Sequence, residues 1–241
     1  MHEPGLTARK IAVYNPKLFN TAVELLNQYK WKVKNKRKGD DTQLLYLPNS
    51  PERIAGFYDL TGPITKDMID IMCAFRQPIN HIMKLIGVTD PVLVQADIAC
   101  MQPGGDTQMH IDTRFSHRYS RRYNMALETN PECYLYHISY DLENGGVRDH
   151  IEPGEVWELN NKIEHTAVNH GETTRTHLII DVMPREYYEK MWIKFPNYAF
   201  NKVPNIQGKN NTYDLDKDGN MLDYWTLFDD LPHCFPARTH V

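Results

Sequence analysis

Hydrophobic positions recur along this chain at two periods, helical before about residue 90 and strand-like after it. Leu18, Ala22, Leu25, Leu26 and Tyr29 fall three and four residues apart. Asn15-Pro16 precedes them, a capping side chain followed by proline at the first helical position. A second stripe of Met68, Ile69, Met72, Phe75, Ile79, Ile82 and Met83 predicts a helical region from about Thr65 to Ile86, broken near Pro78 and closed by Gly87. From Pro91 to Val182 the period drops to two. Val92, Val94, Ala96, Ile98 and Cys100 alternate with other residues, and strand-like segments follow near 108–112, 122–128, 133–140, 147–151, 155–159, 164–169 and 175–182. Turn signals separate several of them: Pro103-Gly104-Gly105, Asn144-Gly145-Gly146, Pro153-Gly154 and His170-Gly171. About eight short strands in roughly 90 residues is the count of a jelly roll. The expected class is mainly β, with the preceding helices covering one sheet.

This pattern divides a single domain of 241 residues into three parts. Residues 1–90 are a helical N-terminal support, 91–183 the jelly-roll core and 184–241 a C-terminal extension. The extension opens with a short helix, Glu186–Lys194. Its aromatic, irregular remainder (Trp192, Phe195, Tyr198, Phe200, Tyr213, Tyr224, Trp225, Phe228, Phe235) wraps the barrel.

Composition narrows the function by exclusion. The chain is 41% hydrophobic, with 27 basic and 31 acidic residues and a net charge of −4. That balance argues against nucleic acid as a partner. No apolar run approaches the roughly 20 residues needed to span a bilayer, so no membrane is expected. The N-terminus has no apolar signal-peptide core. Cys73, Cys100, Cys133 and Cys234 form no CxxC pair, which fits reduced cysteines in a cytoplasmic protein. The basic run Lys30, Lys32, Lys34, Lys36, Arg37 and Lys38 reads as a solvated helix end. Asp214-Leu-Asp216-Lys-Asp218-Gly219-Asn220 copies the start of a calcium loop. Trp225 stands where the bidentate glutamate is needed, so it reads as a polar turn.

The candidate chemistry lies in four residues. His110 and Asp112 are two apart on one strand, so both side chains face the same way, roughly 7 Å apart along the chain. His165 opens a later strand, and Arg175 follows it by ten positions. Two histidines and a carboxylate form a facial triad that leaves coordination positions open; these ligand types suit iron, but also manganese, nickel or zinc. Arg175 favours a dicarboxylate cosubstrate, because guanidinium pairs bidentately with carboxylate. Among other histidines, His117 lies in the arginine-rich stretch after Asp112, and His137 and His150 have no partner arginine. His177 shares a strand face with Arg175. Arg114, Arg118, Arg121 and Arg122 form either a solvated basic loop or a contact for an anionic substrate group.

The wording around these residues resembles the aspartyl/asparaginyl β-hydroxylase family. The resemblance rests on Gln102-Pro103-Gly104, on Arg122-Tyr-Asn124-Met-Ala-Leu-Glu-Thr129, and on Pro153-Gly-Glu-Val-Trp-Glu-Leu-Asn-Asn161. It continues through His165-Thr-Ala-Val-Asn169 and Arg175-Thr-His-Leu-Ile-Ile-Asp181-Val182, covering about residues 92–182. It implies a double-stranded β-helix (a cupin-like jelly roll) with Fe(II) as cofactor and 2-oxoglutarate and O2 as cosubstrates. By resemblance, His110 and His165 match the iron-binding histidines, and Arg175 matches the arginine on the distal carboxylate of 2-oxoglutarate. Arg122 matches an arginine near the other carboxylate. Asn124 stands where many members have histidine, and Ala99 where some have a cosubstrate-binding serine. Asp112 completes the triad where some members have glycine, and it argues against halogenation, which needs that coordination position free.

These readings converge on an Fe(II)- and 2-oxoglutarate-dependent hydroxylase of an amino acid, free or within a peptide or protein, that releases succinate and CO2. The alternatives are a cupin-like metal-binding or sensor module without turnover, and a cupin enzyme that needs no cosubstrate.

Overall fold

Strand alternation over residues 91–101 becomes the longest strand of the structure. The computed structural model describes residues 7–29, 42–46, 66–112, 120–138 and 145–194. Its strands are β1 (Ala8–Val13), β2 (Thr42–Tyr46), β3 (Pro91–Met101), β4 (Arg121–Glu128), β5 (Cys133–Ile138), β6 (Gly146–Asp149), β7 (Glu155–Leu159), β8 (His165–Asn169) and β9 (Arg175–Pro184). Six form one sheet in the order β1-β7-β4-β9-β3-β2, and three form the facing sheet in the order β6-β5-β8. All these strand pairings are antiparallel. Residues 104–112 run along β8 as a further, irregular row. Gly104 and Thr107 donate backbone hydrogen bonds to Asn169 and Ala167, and His110 and His165 bond reciprocally. Two facing antiparallel sheets of this kind form a double-stranded β-helix.

The two faces of β4 and β9 explain why strand positions there are nearly all buried. Tyr123, Met125, Leu178, Ile180 and Val182 point outward into a core shared with helices. Arg122, Asn124, His177 and Asp181 point inward, where they bond to one another. The helical layer consists of a 3-10 turn (Pro16–Phe19), α1 (Asn20–Gln28) and α2 (Lys66–Leu85). Phe19, Ala22 and Leu26 join Ile71, Phe75, Ile79 and Ile82 in that core. Asn15 caps the entry, its side chain accepting from the Lys17 N–H at 3.1 Å. A third helix, α3 (Arg185–Lys194), follows β9 directly. No helix among the described residues is long and apolar enough to cross a membrane.

The structure departs from the sequence expectations in three places. α2 runs unbroken through Pro78. An interior proline costs roughly 3 kcal/mol, but the stripe Ile71, Phe75, Ile79 and Ile82 buries several large side chains, each worth roughly 1.5–3 kcal/mol. The N-terminal region also contributes β1 and β2, the two edges of the six-stranded sheet, beside its helices. Pairing with β7 and β3 gives these short segments their strand form, and their own period did not announce it. Residues 108–112 form a single isolated bridge, His110 to His165, and not a regular strand. The basic run at 30–38, the calcium-loop mimic and residues 195–241 lie outside the described residues.

Phe75 is fully buried between α1 and the sheet, its ring 5.7 Å from that of Phe19. Phe75→Ala is expected to lower the unfolding free energy by about 3–5 kcal/mol, measured by urea denaturation. Val13→Ala, at a site 69% exposed, should change it by less than about 0.5 kcal/mol. A Phe75→Ala loss no larger than that of Val13→Ala would mean that α2 does not anchor the sheet.

Candidate metal centre

A turn built on one aspartate delivers the first two site residues. Asp106 Oδ1 accepts from the Gln108 N–H at 2.7 Å, and Gln108 takes φ +55°, a left-handed conformation uncommon for a residue with a side chain. The Gln108 carbonyl then lies 2.8 Å from His110 Nδ1. Just before β8, the Ile163 carbonyl lies 2.9 Å from His165 Nδ1. Each carbonyl can only accept, so each ring carries its proton on Nδ1 and presents an Nε2 lone pair. Those lone pairs, with the carboxylate of Asp112, converge: the three ligand atoms lie within 4.8 Å of one another. His110 Nε2 is 3.9 Å from Asp112 Oδ1, and His165 Nε2 is 3.9 Å from Asp112 Oδ2. The structure thus brings together the three residues that spacing singled out.

The electrostatics suit a cation. Burial pushes the His165 imidazole down to about 4, against the opposing pull of Asp112, so the ring is neutral at neutral pH, the form a metal requires. Asp112 Oδ2 accepts from Arg122 Nη1 and from Asn161 Nδ2, the latter at 3.2 Å. Lys162 Nζ holds the other end of the Asn161 amide at 2.9 Å. The Asp112 N–H also donates to the Asn161 carbonyl at 3.1 Å. In the sequence alone, Asn161 and Asp181 stand out only as parts of a motif. Their tie to Asp112, direct or through Arg122, comes from strand pairing that no local pattern displays.

Arg175 opens β9 on the inner side and is 2% exposed. Its Nη2 lies 3.1 Å from His177 Nδ1, and its Nε has no hydrogen-bond partner. No carboxylate among the described residues pairs with it. Burial pulls this guanidinium down to about 10, with Cys133 of the facing sheet opposing. β8 and β9 are consecutive but belong to opposite sheets, so Arg175 stands across the sandwich from the strand of His165. His177 Nδ1 is also 2.6 Å from Asn124 Oδ1, while its Nε2 is buried without a partner. Ala99 lies opposite His177 in the β3–β9 register.

The competing residues sort out as follows. His137 is fully buried opposite His165, with ring centroids 5.9 Å apart and neither ring nitrogen hydrogen-bonded. Burial and the nearby His165 push it down to about 3. His150 bonds the Cys133 carbonyl and Glu152, away from the triad. Arg121 points outward, where it and Arg9 enclose the buried Glu158. His117, Arg114 and Arg118 lie outside the described residues.

With this geometry in hand, the relatives are informative. Residues 74–184 match the profile of the family described as Aspartyl/Asparaginyl beta-hydroxylase. No curated protein matches the chain. Among solved structures, the non-heme α-ketoglutarate-dependent carbocyclase SnoK from nogalamycin biosynthesis superposes with a TM-score of 0.51. It is 13% identical, with 75% of this chain and 80% of that one covered. An oxidoreductase of the 2OG-Fe(II) oxygenase family from Burkholderia pseudomallei is 11% identical over 73% of this chain and 84% of its own, with a TM-score of 0.49. A Pseudomonas putida prolyl-4-hydroxylase is 18% identical over 74% and 93%, with a TM-score of 0.46. The carbocyclase shares the double-stranded β-helix described above. The matched segment carries the triad, Arg122, Asn124 and Arg175, and over residues 74–184 the chain is similar to the aspartyl/asparaginyl β-hydroxylase family.

Proposed function

We propose that the protein is an Fe(II)- and 2-oxoglutarate-dependent hydroxylase acting on an amino acid, either free or within a peptide. The observation that carries this reading is the buried Arg175 guanidinium, which has no carboxylate partner among the described residues. A buried cation without a counter-ion is costly, and a bound dicarboxylate would supply one. The donor set fits the metal as well: two imidazole nitrogens and one carboxylate oxygen, all converging. When bound, ferrous iron with 2-oxoglutarate and O2 supplies the oxidising power for hydroxylation, leaving succinate and CO2.

The chain's own residues hold and orient. His110, Asp112 and His165 would be the iron ligands. The carbonyls of Gln108 and Ile163 fix their imidazole tautomers, and Asn161 fixes the carboxylate. Arg175 would anchor the distal carboxylate of 2-oxoglutarate, with Asn124 on β4 beside the cosubstrate. Apolar side chains from both sheets, among them Ala126, Leu135, Ile151 and Leu159, surround this interior and exclude water from it. A cupin-like metal-binding module would share the triad but would form no succinate.

Three outcomes test this reading. Anaerobic titration of the protein with ferrous iron and 2-oxoglutarate should produce the weak visible charge-transfer band of an iron-bound 2-oxo acid; folded protein without that band would sink the proposal. Asp112→Ala should lose most of its metal affinity, more than the roughly 10- to 100-fold that removing a hydrogen-bond partner of a ligand costs, read by metal analysis after dialysis. Asp106→Ala, which loosens the preceding turn but removes no ligand, should retain more metal than Asp112→Ala; equal metal content in wild type and Asp112→Ala would place the carboxylate outside the ligand set. Arg175→Met should leave metal binding nearly intact while weakening 2-oxoglutarate at least about tenfold, since a charge-assisted pair is worth roughly 1.5–3 kcal/mol. Unchanged 2-oxoglutarate affinity in that variant would favour an enzyme or module that uses no such cosubstrate.

A further inference from the structure

Two inward-facing arginines serve this interior, and their surroundings are opposite. Arg175 meets no carboxylate among the described residues. Arg122 meets several. Its Nε and Nη2 donate to Asp181 Oδ1 and Oδ2 at 2.9 and 2.8 Å, a bidentate pair. Its Nη1 donates to Asp112 Oδ2. Asp97, on the neighbouring β3, also acts on the guanidinium electrostatically. Asp181 is fully buried, so it needs this cation. Opposite Arg122 in the β4–β9 register, Asp181 fixes the guanidinium plane from the rear. The fork directed forward meets Asp112.

We propose that Arg122 and Asp181 are a positioning pair for the metal ligand Asp112. In this division of labour Arg122 serves protein carboxylates, and Arg175 alone pairs with the cosubstrate. The inference rests on the metal-binding reading above. The chain's family resemblance sets Arg122 near a cosubstrate carboxylate, but here all three of its nitrogens already donate to aspartates. Aspartates outnumber the single guanidinium in this cluster, and a divalent cation at the triad would offset the excess. A further carboxylate paired to Arg122 would add to it. The aspartate in the triad also explains the need for the pair. A short carboxylate on an irregular segment requires a fixed partner to hold its rotamer toward the two imidazoles. The bidentate grip of Asp181 makes Arg122 rigid enough to be that partner.

The test separates metal affinity from cosubstrate affinity in the full-length protein. Mn(II) binding is measured by electron paramagnetic resonance without 2-oxoglutarate; 2-oxoglutarate binding is then measured by calorimetry at saturating Mn(II). Arg122→Gln and Asp181→Asn should each weaken Mn(II) by about 10- to 100-fold, and the double variant should be little worse than either alone. Their 2-oxoglutarate affinity at saturating metal should stay within about threefold of wild type, a selectivity that general loss of structure would not produce. Arg175→Met should show the reverse pattern. Arg122→Gln with wild-type Mn(II) affinity, or with a tenfold weaker 2-oxoglutarate affinity at saturating metal, overturns the inference. Should Arg122→Gln not fold, the near-isosteric Asp181→Asn decides on the same criteria. Wild-type protein that binds no Mn(II) would overturn the functional reading itself, and this inference with it.

Discussion

The reciprocal backbone pair between His110 and His165 is the constraint on which the site depends. Each N–H donates to the other's carbonyl, at 3.0 and 2.9 Å, across the edge of the smaller sheet. Side chains alternate along a strand, so this register alone puts both imidazoles on the inner face, with ring centroids 4.5 Å apart. A slip of one residue would turn one ring out of the sandwich and leave Asp112 with a single nitrogen beside it. The Gly104 and Thr107 bonds to β8 hold the segment in that register from one side, and the Asp112 bond to Asn161 holds it from the other.

Around this pair, burial separates two kinds of polar group. Some are satisfied by the protein itself, such as Glu158 between Arg9 and Arg121, or Asp181 on Arg122. Others have polar atoms with no partner: Arg175 Nε, His177 Nε2 and both nitrogens of His137. Buried polar atoms are ordinarily paired. Arg175 and His177 carry such unpaired atoms on the large sheet, and His137 carries them on the smaller one. The outer face of the same large sheet is mainly apolar, although the buried Tyr123 hydroxyl also has no hydrogen-bond partner. There Tyr123, Met125, Leu178, Ile180 and Val182 meet α1 and α2 in an apolar core whose role is to keep β4 and β9 rigid.

That rigidity gives the helical layer a function at a distance. Arg122, Asn124, Arg175, His177 and Asp181 all sit on β4 or β9, the two central neighbours of the six-stranded sheet. A polar constellation on central strands cannot move without disturbing the packed helices behind it. The packing behind such a constellation pre-organises it. The passage of α2 through Pro78 belongs to the same economy of packing, since the apolar stripe on either side of the proline outweighs the lost backbone bond.

By itself the sequence determined the elements whose signal is local. The two-residue period from Val92 to Cys100, the turn glycines and the His110-Ile-Asp112 spacing all act between near neighbours, and the structure contains each of them. Together with the motif around His165 and Arg175, they made the fold class and the candidate triad legible. Only the tertiary structure decided what depends on pairing between distant segments. It made β1 and β2 into edge strands and carried α2 through its proline. It also turned Arg121 outward and its neighbour Arg122 inward. These two arginines are adjacent in sequence and equivalent in charge, yet strand alternation gives one to Glu158 and the other to Asp112 and Asp181. Charge and spacing along a chain do not record which carboxylate will face a guanidinium across a sheet. That is fixed by register, and register is a property of the folded whole.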